Sequence, residues 1–239
     1  MRKLKLNNYI ILDCETGGLD KKNNYHASLY PITEIALIAV YADNLEEILR
    51  YESMIKGQYI ENNEYVGYDL NHTYSKEALL GTGITIEKLE EKGKNYKEVC
   101  LELAKIFKEL NTGNFWHKPI LVGQNIIFDI PFIQQLFQLC NIDLSKLLHG
   151  YFDASKKFQL SYIDTMLLSR IKWANEKTKH NLTAIANRFN VELVDAHRAM
   201  NDAICTLNIF KSFANLLKIS NDSKNVVTDE VKFRDSFQF

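Results

Sequence analysis

Four carboxylates and one histidine, on three segments far apart in the chain, are the residues whose types could do joint chemistry: Asp13 and Glu15 in ILDCETGGL, Asp129 in GQNIIFDIPF, and His197 with Asp202 in DAHRAMNDA. Gathered in one cleft, the carboxylates would hold divalent cations and the imidazole would stay free to move a proton, the equipment for cleaving a phosphodiester. The gathering needs the cations, because two like charges about 4 Å apart repel by ~4 kcal/mol at an effective dielectric of 20. All-oxygen ligands suit Mg²⁺ or Mn²⁺ rather than zinc. Taken singly, each piece has an ordinary reading: acids at a strand end are more often solvated than ligating, an acid at a helix start answers the helix dipole, and a histidine there is a surface or capping residue.

The elements around these residues decide whether they meet. The period-two alternation of a strand over 8–14 puts Asp13 and Glu15 on one face and Leu12 and Cys14 on the other. The turn at Gly17-Gly18 then leaves both acids at the rim of a sheet, where open α/β sheets commonly keep their ligands. Pro131 is tolerated only in the first turn of a helix, so a helix reaching Leu139 must begin near Asp129. Asn125 is placed to cap that helix or to hold a substrate group, and Phe128 reads as core or as a face for stacking a base. His197 and Asp202 would lie roughly 140° apart on a continuous helix, so they face one site only if His197 precedes the helix.

Apolar, β-branched runs predict further strands at 32–42, 48–56, 119–122 and 162–165. Helical spacing predicts a capped helix from Thr85 to Gly93, then helices at 96–110, 127–139, 181–189 and about 198–217. The alternation argues an α/β fold with a mixed sheet of about five strands flanked by helices. Residues 57–83, rich in Tyr, Asn and Gly, read as an irregular surface excursion with no assigned function.

The 239 residues, 46% hydrophobic and 25% charged, suit one sizeable domain, taken as 1–219, followed by a polar tail at 220–239 that ends in aromatics. That tail reads as disordered or as a short partner-binding motif. A formal charge of −1 argues against gripping long nucleic acid by bulk electrostatics, so any such contact is expected to be local. Lys156 and Lys157, with Lys21, Lys22, Lys172, Lys177 and Lys179, read either as flanks of a cleft or as a solvated face. The four cysteines, at 14, 100, 140 and 205, lack CxxC spacing and read as free thiols. With no signal peptide or membrane span in the sequence, a cytoplasmic protein with no membrane contact is expected. The remaining histidines lack metal-ligand spacing and are assigned nothing.

These segments, in this order, resemble the DEDD superfamily of 3′→5′ exonucleases in its histidine subtype, which includes the proofreading epsilon-type (DnaQ-like) polymerase subunits. The likeness covers DCETGGL, TEIALI, GITIEKL, LVGQNIIFDIPFI, IDTMLL and NLTAIANRFNVELVDAHRAMNDA. Arg198 stands where the tyrosine subtype would carry its Tyr. The resemblance implies a ribonuclease-H-like fold in which Asp13, Glu15, Asp129 and Asp202 bind two Mg²⁺, replaceable by Mn²⁺, and His197 deprotonates the attacking water. A histidine suits that step because it titrates near neutrality. It further implies that Thr16 and the Gly17 backbone meet the 3′-terminal nucleotide, that Leu19 wedges against its base, and that Asn125 and Phe128 line the cleft. Two departures, Gly17 in place of a second Thr and Gln124 in place of a common His, bear on how that nucleotide is held. The implied substrate is the 3′ end of a single strand, DNA ahead of RNA, with a DNA polymerase as candidate partner. Trimming of RNA ends is the nearest alternative, and a non-catalytic polymerase accessory is the alternative of another class.

Overall fold

The computed structural model describes residues 7–19, 30–56, 59–61, 64–67, 74–113 and 117–222. In chain order come β1 (Tyr9–Thr16), β2 (Ile32–Val40), β3 (Glu47–Met54), a small hairpin β4 (Tyr59–Glu61) and β5 (Glu64–Gly67), then α1 (Lys76–Thr82), α2 (Ile86–Lys92) and α3 (Tyr96–Glu109). They are followed by β6 (Ile120–Gly123), α4 (Asp129–Leu139), a hairpin of β7 (Gly150–Phe152) and β8 (Phe158–Leu160), β9 (Tyr162–Asp164), α5 (Thr165–Lys172), α6 (Leu182–Phe189) and α7 (Ala199–Asp222).

One five-stranded mixed sheet, in the order β3-β2-β1-β6-β9, organises the rest. β2 runs antiparallel to both β1 and β3, whereas β6 is parallel to both β1 and β9. Every residue of β2 is buried, as expected of a strand paired on both edges and covered on both faces. On one face Ile10, Leu12, Ile35 and Leu37 pack against Val99, Leu103 and Phe107 of α3 and Phe132 and Phe137 of α4. On the other, Ile11, Ala36, Ile38 and Val122 meet Ala199, Ala203, Leu207 and Phe210 of α7. Each fully buried Ile, Leu or Phe contributes about 1.5–3 kcal/mol, so the two faces together hold the strands in register.

The expected mixed sheet of about five strands between helices is what the chain forms. Three local expectations change. Within 57–83, β4, β5 and α1 stand where an irregular excursion was expected. α1 is only seven residues long and buries none of its side chains, so it has no apolar period to read; its signals are Ser75, whose hydroxyl accepts from the Ala78 N–H, and Gly83, left-handed at φ 63°. The hairpin β7–β8 and helix α5 were also not foreseen. The boundary expected at 219/220 falls inside α7, and residues 223–239 of the tail lie outside the described residues, as do Lys21 and Lys22. Among the described residues no helix is long and apolar enough to cross a membrane.

Candidate active site

The alternation of β1 sends Leu12 and Cys14 into the α3/α4 face and Ile11 into the α7 face, so Asp13 and Glu15 project on the side of α7. β6 pairs with β1 only as far as Ile11↔Val122, which leaves the Cys14 N–H without a strand partner. Asp129, the first residue of α4, takes that place: its Oδ1 accepts from Cys14 N at 3.1 Å. The turn that delivers it is fixed from β9. Asp164 Oδ1 accepts from the N–H of Asn125, left-handed at φ 57°, at 2.9 Å, and caps α5 through Met166 N at 2.8 Å. The Asn125 side chain does not cap α4, as was open in the sequence; its backbone carbonyl instead accepts from Phe128 N.

From the other side, α7 brings Asp202 one turn in from its start. His197 lies two residues before the helix, at φ 70°, and its N–H donates to Asp202 Oδ2 at 3.3 Å. The backbone break makes the five-residue spacing work, since imidazole and carboxylate then face one point. Ligand atoms of Glu15, His197 and Asp202 lie within 4.8 Å of one another. The start of α7 is pinned by Glu34 of β2, which is fully buried and stands directly across the ladder from Glu15. Its carboxylate accepts from Arg198 at 2.6 and 3.1 Å and from Ala199 N at 3.1 Å.

Crowding of acids leaves its mark on their protonation. Burial first, then the charges of Asp129, Asp202 and Glu15, pushes Asp13 well above the usual carboxylate range. Asp13 is thus the member that feels all three others. Burial, with Asp202 and Glu34 behind it, raises Glu15 to about 7 against the opposing pull of Arg198. Burial raises Asp129 despite the Cys14 N–H, and raises Asp202 despite the His197 N–H.

These residues fit a divalent cation. Asp202 Oδ1 is buried with no hydrogen-bond partner among the described residues, so one hard acceptor of the cluster is left unsatisfied. The guanidinium nearest the acids, Arg198, already serves Glu34. Four crowded carboxylates with an unpaired oxygen are the donor set for a cation bound through oxygen.

Glu15 and His197 open into a cleft of about 700 Å³. One wall is the end of β1 and its turn, with Thr16, Gly18 and Leu19; the opposite wall is α1, with Ser75, Glu77, Ala78 and Thr82; Phe128 and His197 close the ends. Gly18 is forced by close approach, because a Cβ there would come within 2.7 Å of the Tyr30 ring. Of the residues named from sequence, Glu15, His197 and Asp202 come within 4.8 Å of one another, Asp13 and Asp129 lie close enough for the other acids' charges to act on them, and Thr16, Leu19 and Phe128 line the cleft. Gly17 and Asn125 do not line it. Gly17 commits both backbone groups elsewhere, donating to Pro31 O at 2.8 Å and accepting from Ser75 N at 2.6 Å. Missed altogether were the α1 wall, Tyr30 and the Glu34–Arg198 pair. Only the pattern around Ser75 and Gly83 could have pointed to the first.

Sheet order and acid cluster together define a ribonuclease-H-like nuclease domain. A family profile described as RNase_T: Exonuclease matches residues 10–210, and the chain belongs to that exonuclease family. The family depends on divalent metal. The chain is 27% identical over 168 residues to a 3′-5′ exonuclease DinG of Staphylococcus haemolyticus, covering 69% of this chain and 16% of that protein. It is also 27% identical over 228 residues to a PolC-type DNA polymerase III of Listeria welshimeri, covering 95% of this chain and 12% of that one. The chain therefore spans only a small part of the length of the curated relatives it matches. In fold it is similar to E. coli exonuclease I in complex with a dT13 oligonucleotide, with a TM-score of 0.63 and 18% identity over 91% of this chain and 44% of that one.

Proposed function

We propose that this exonuclease removes nucleoside monophosphates one at a time from the 3′ end of single-stranded DNA. The observation that carries the reading is the cluster of Glu15, His197 and Asp202, with the buried charges of Asp13 and Asp129 acting on the same group of acids, beside a cleft walled by Leu19 and Phe128. It is supported by the names of the relatives above and by the oligonucleotide bound to the structural neighbour.

Asp13, Glu15, Asp129 and Asp202 are the residues that would hold Mg²⁺, two ions in this reading, with Mn²⁺ able to replace them. When bound, such ions offset the crowded negative charge and stabilise the attacking and departing oxygens of an in-line displacement. The protein's own groups do the rest. Leu19 and Phe128 take the terminal base between apolar faces, Thr16 and the neighbouring turn meet its sugar, and Asn125 holds the turn behind Phe128. His197, exposed at the cleft's end, accepts a proton from the attacking water at a ring nitrogen. Asp202 holds the His197 backbone and so keeps the imidazole at the acids. A polymerase is the partner this reading favours, and the cytoplasm its place.

The test uses one oligonucleotide labelled at either end, with Mg²⁺ present. The 3′ label should be released as mononucleotide at once while the 5′-labelled strand shortens stepwise. Internal cuts, or release from the 5′ end, would overturn the reading. Rates on the matched RNA strand decide between the two sugars.

A further inference from the structure

The helix that presents Asp129 does not end its exposed face at the cleft. Phe128 has helical backbone angles (φ −74°, ψ −42°), so Phe128, Pro131, Gln134 and Gln138 fall within roughly 120° of one another around the α4 axis. Phe128 lines the catalytic cleft, and the other three line a second groove of about 570 Å³ that begins one turn further on. Its far wall is the β7–β8 hairpin, contributing Lys157 and Phe158. We infer that this groove is a further binding site for single-stranded nucleic acid, holding the nucleotides upstream of the 3′ end while that end sits in the cleft. The inference deepens the exonuclease reading and rests on it.

The groove has the chemistry such a strand needs. The amides of Gln134 and Gln138 and the ammonium of Lys157 have no side-chain partner among the described residues, so they are available to bases and phosphate. Phe158 pairs across the hairpin with Phe152, ring centroids 5.4 Å apart, and Phe152 keeps 56% of its surface exposed at the rim. Aromatic faces beside a lysine are the means by which single strands are held without sequence preference. The acids nearby, Asp143 in the groove wall and Asp153 in the hairpin, stay ionised but are paired with neighbours of their own. Asp143 caps the turn at Ser145 and is balanced by Lys146 and Lys118, and Asp153 is held down at about 2 by Ser155, Gln159 and the Lys157 N–H. From Phe128 to Gln138 the helix advances about 15 Å, enough for roughly four stacked nucleotides at ~3.4 Å each. One facing lysine agrees with the near-neutral chain: the contact is short and weakly ionic.

Binding in EDTA tests this without turnover, using oligothymidylates of three and of eight nucleotides and fluorescence anisotropy. The unaltered protein should bind the longer strand at least about tenfold more tightly. Lys157→Ala and the pair Gln134→Ala with Gln138→Ala, all at solvent-facing or half-buried positions, should erase most of that advantage. Lys157→Ala should also reduce the slope of log affinity against log salt by about 0.7, as for one phosphate contact on a single strand. Equal affinity for both lengths, or variants that keep the full advantage, would overturn the groove. Removal of the 3′ nucleotide from the short strand in Mg²⁺ reports the exonuclease reading separately: cleavage without a length advantage sinks the groove alone, and a length advantage without cleavage sinks the exonuclease reading and with it the groove's role upstream of a 3′ end.

Discussion

Glu34 and Arg198, 164 residues apart in sequence, form a two-pronged ion pair at 2.6 and 3.1 Å whose carboxylate is fully buried. The pair links the two halves of the site, because Glu34 faces Glu15 across the ladder and Arg198 follows His197 directly. Breaking a fully buried pair costs about 3–5 kcal/mol, and since Arg198 is 35% exposed, Glu34→Gln should lose nearer ~2 kcal/mol in urea unfolding. The larger effect should be on rate. Misplacing His197 by about 1 Å is expected to lower kcat by ~10²-fold with KM little changed. Loss of stability with kcat intact would reduce the pair to a structural tie.

Protonation of the acids makes metal-free stability depend on pH with a definite sign. Glu15, at an ordinary 4.5 when unfolded and about 7 when folded, binds its proton more tightly in the native state, and Asp13, Asp129 and Asp202 shift the same way. The contribution of Glu15 is therefore fully present below its unfolded value and is lost as pH rises through about 7, and those of the three aspartates are likewise lost as pH rises. Melting curves in EDTA should fall between mildly acidic and mildly alkaline buffer, by about 2–4 °C for each ~1 kcal/mol lost. Excess Mg²⁺ should cancel most of the fall. A flat profile in EDTA would contradict the crowding of the acids.

Asp129 has two duties that two substitutions separate. Asp129→Asn keeps an oxygen for the Cys14 N–H while removing the charge, so the metal-free protein should be as stable as the parent or more so at alkaline pH. Asp129→Ala strands that N–H and should be less stable than the Asn form by about 1–3 kcal/mol. Both should lose essentially all turnover. Near-normal activity in either would remove Asp129 from the site.

His197→Ala should lower kcat by about 10²–10⁴-fold, the usual weight of a general base. Its side chain is exposed, so melting temperature and the Mg²⁺ dependence should hardly move. A loss of metal affinity as large as for Asp129→Asn would make the imidazole a ligand instead of a base.

What could be read from sequence was whatever depends on local periodicity. The alternation of Asp13 and Glu15, the first-turn position forced by Pro131, and the need for His197 to precede α7 each follow from the chain's own geometry. The Glu34–Arg198 pair could not be read, because a glutamate inside an apolar strand shows no partner until the helix start is packed on it. The α1 wall escaped because a short, wholly surface helix carries no apolar stripe. The Gly17 contact came from the family resemblance; backbone groups have no signature in sequence, and only the packing of Pro31 and Ser75 shows that those of Gly17 are taken.

Anomalous scattering from a crystal grown with Mn²⁺ tests the central claim most directly. Density is expected among the carboxylates of Asp13, Glu15, Asp129 and Asp202, and Asp13→Asn should abolish or weaken it. Manganese absent from the cleft at saturating concentration, or bound only by other residues, would contradict it.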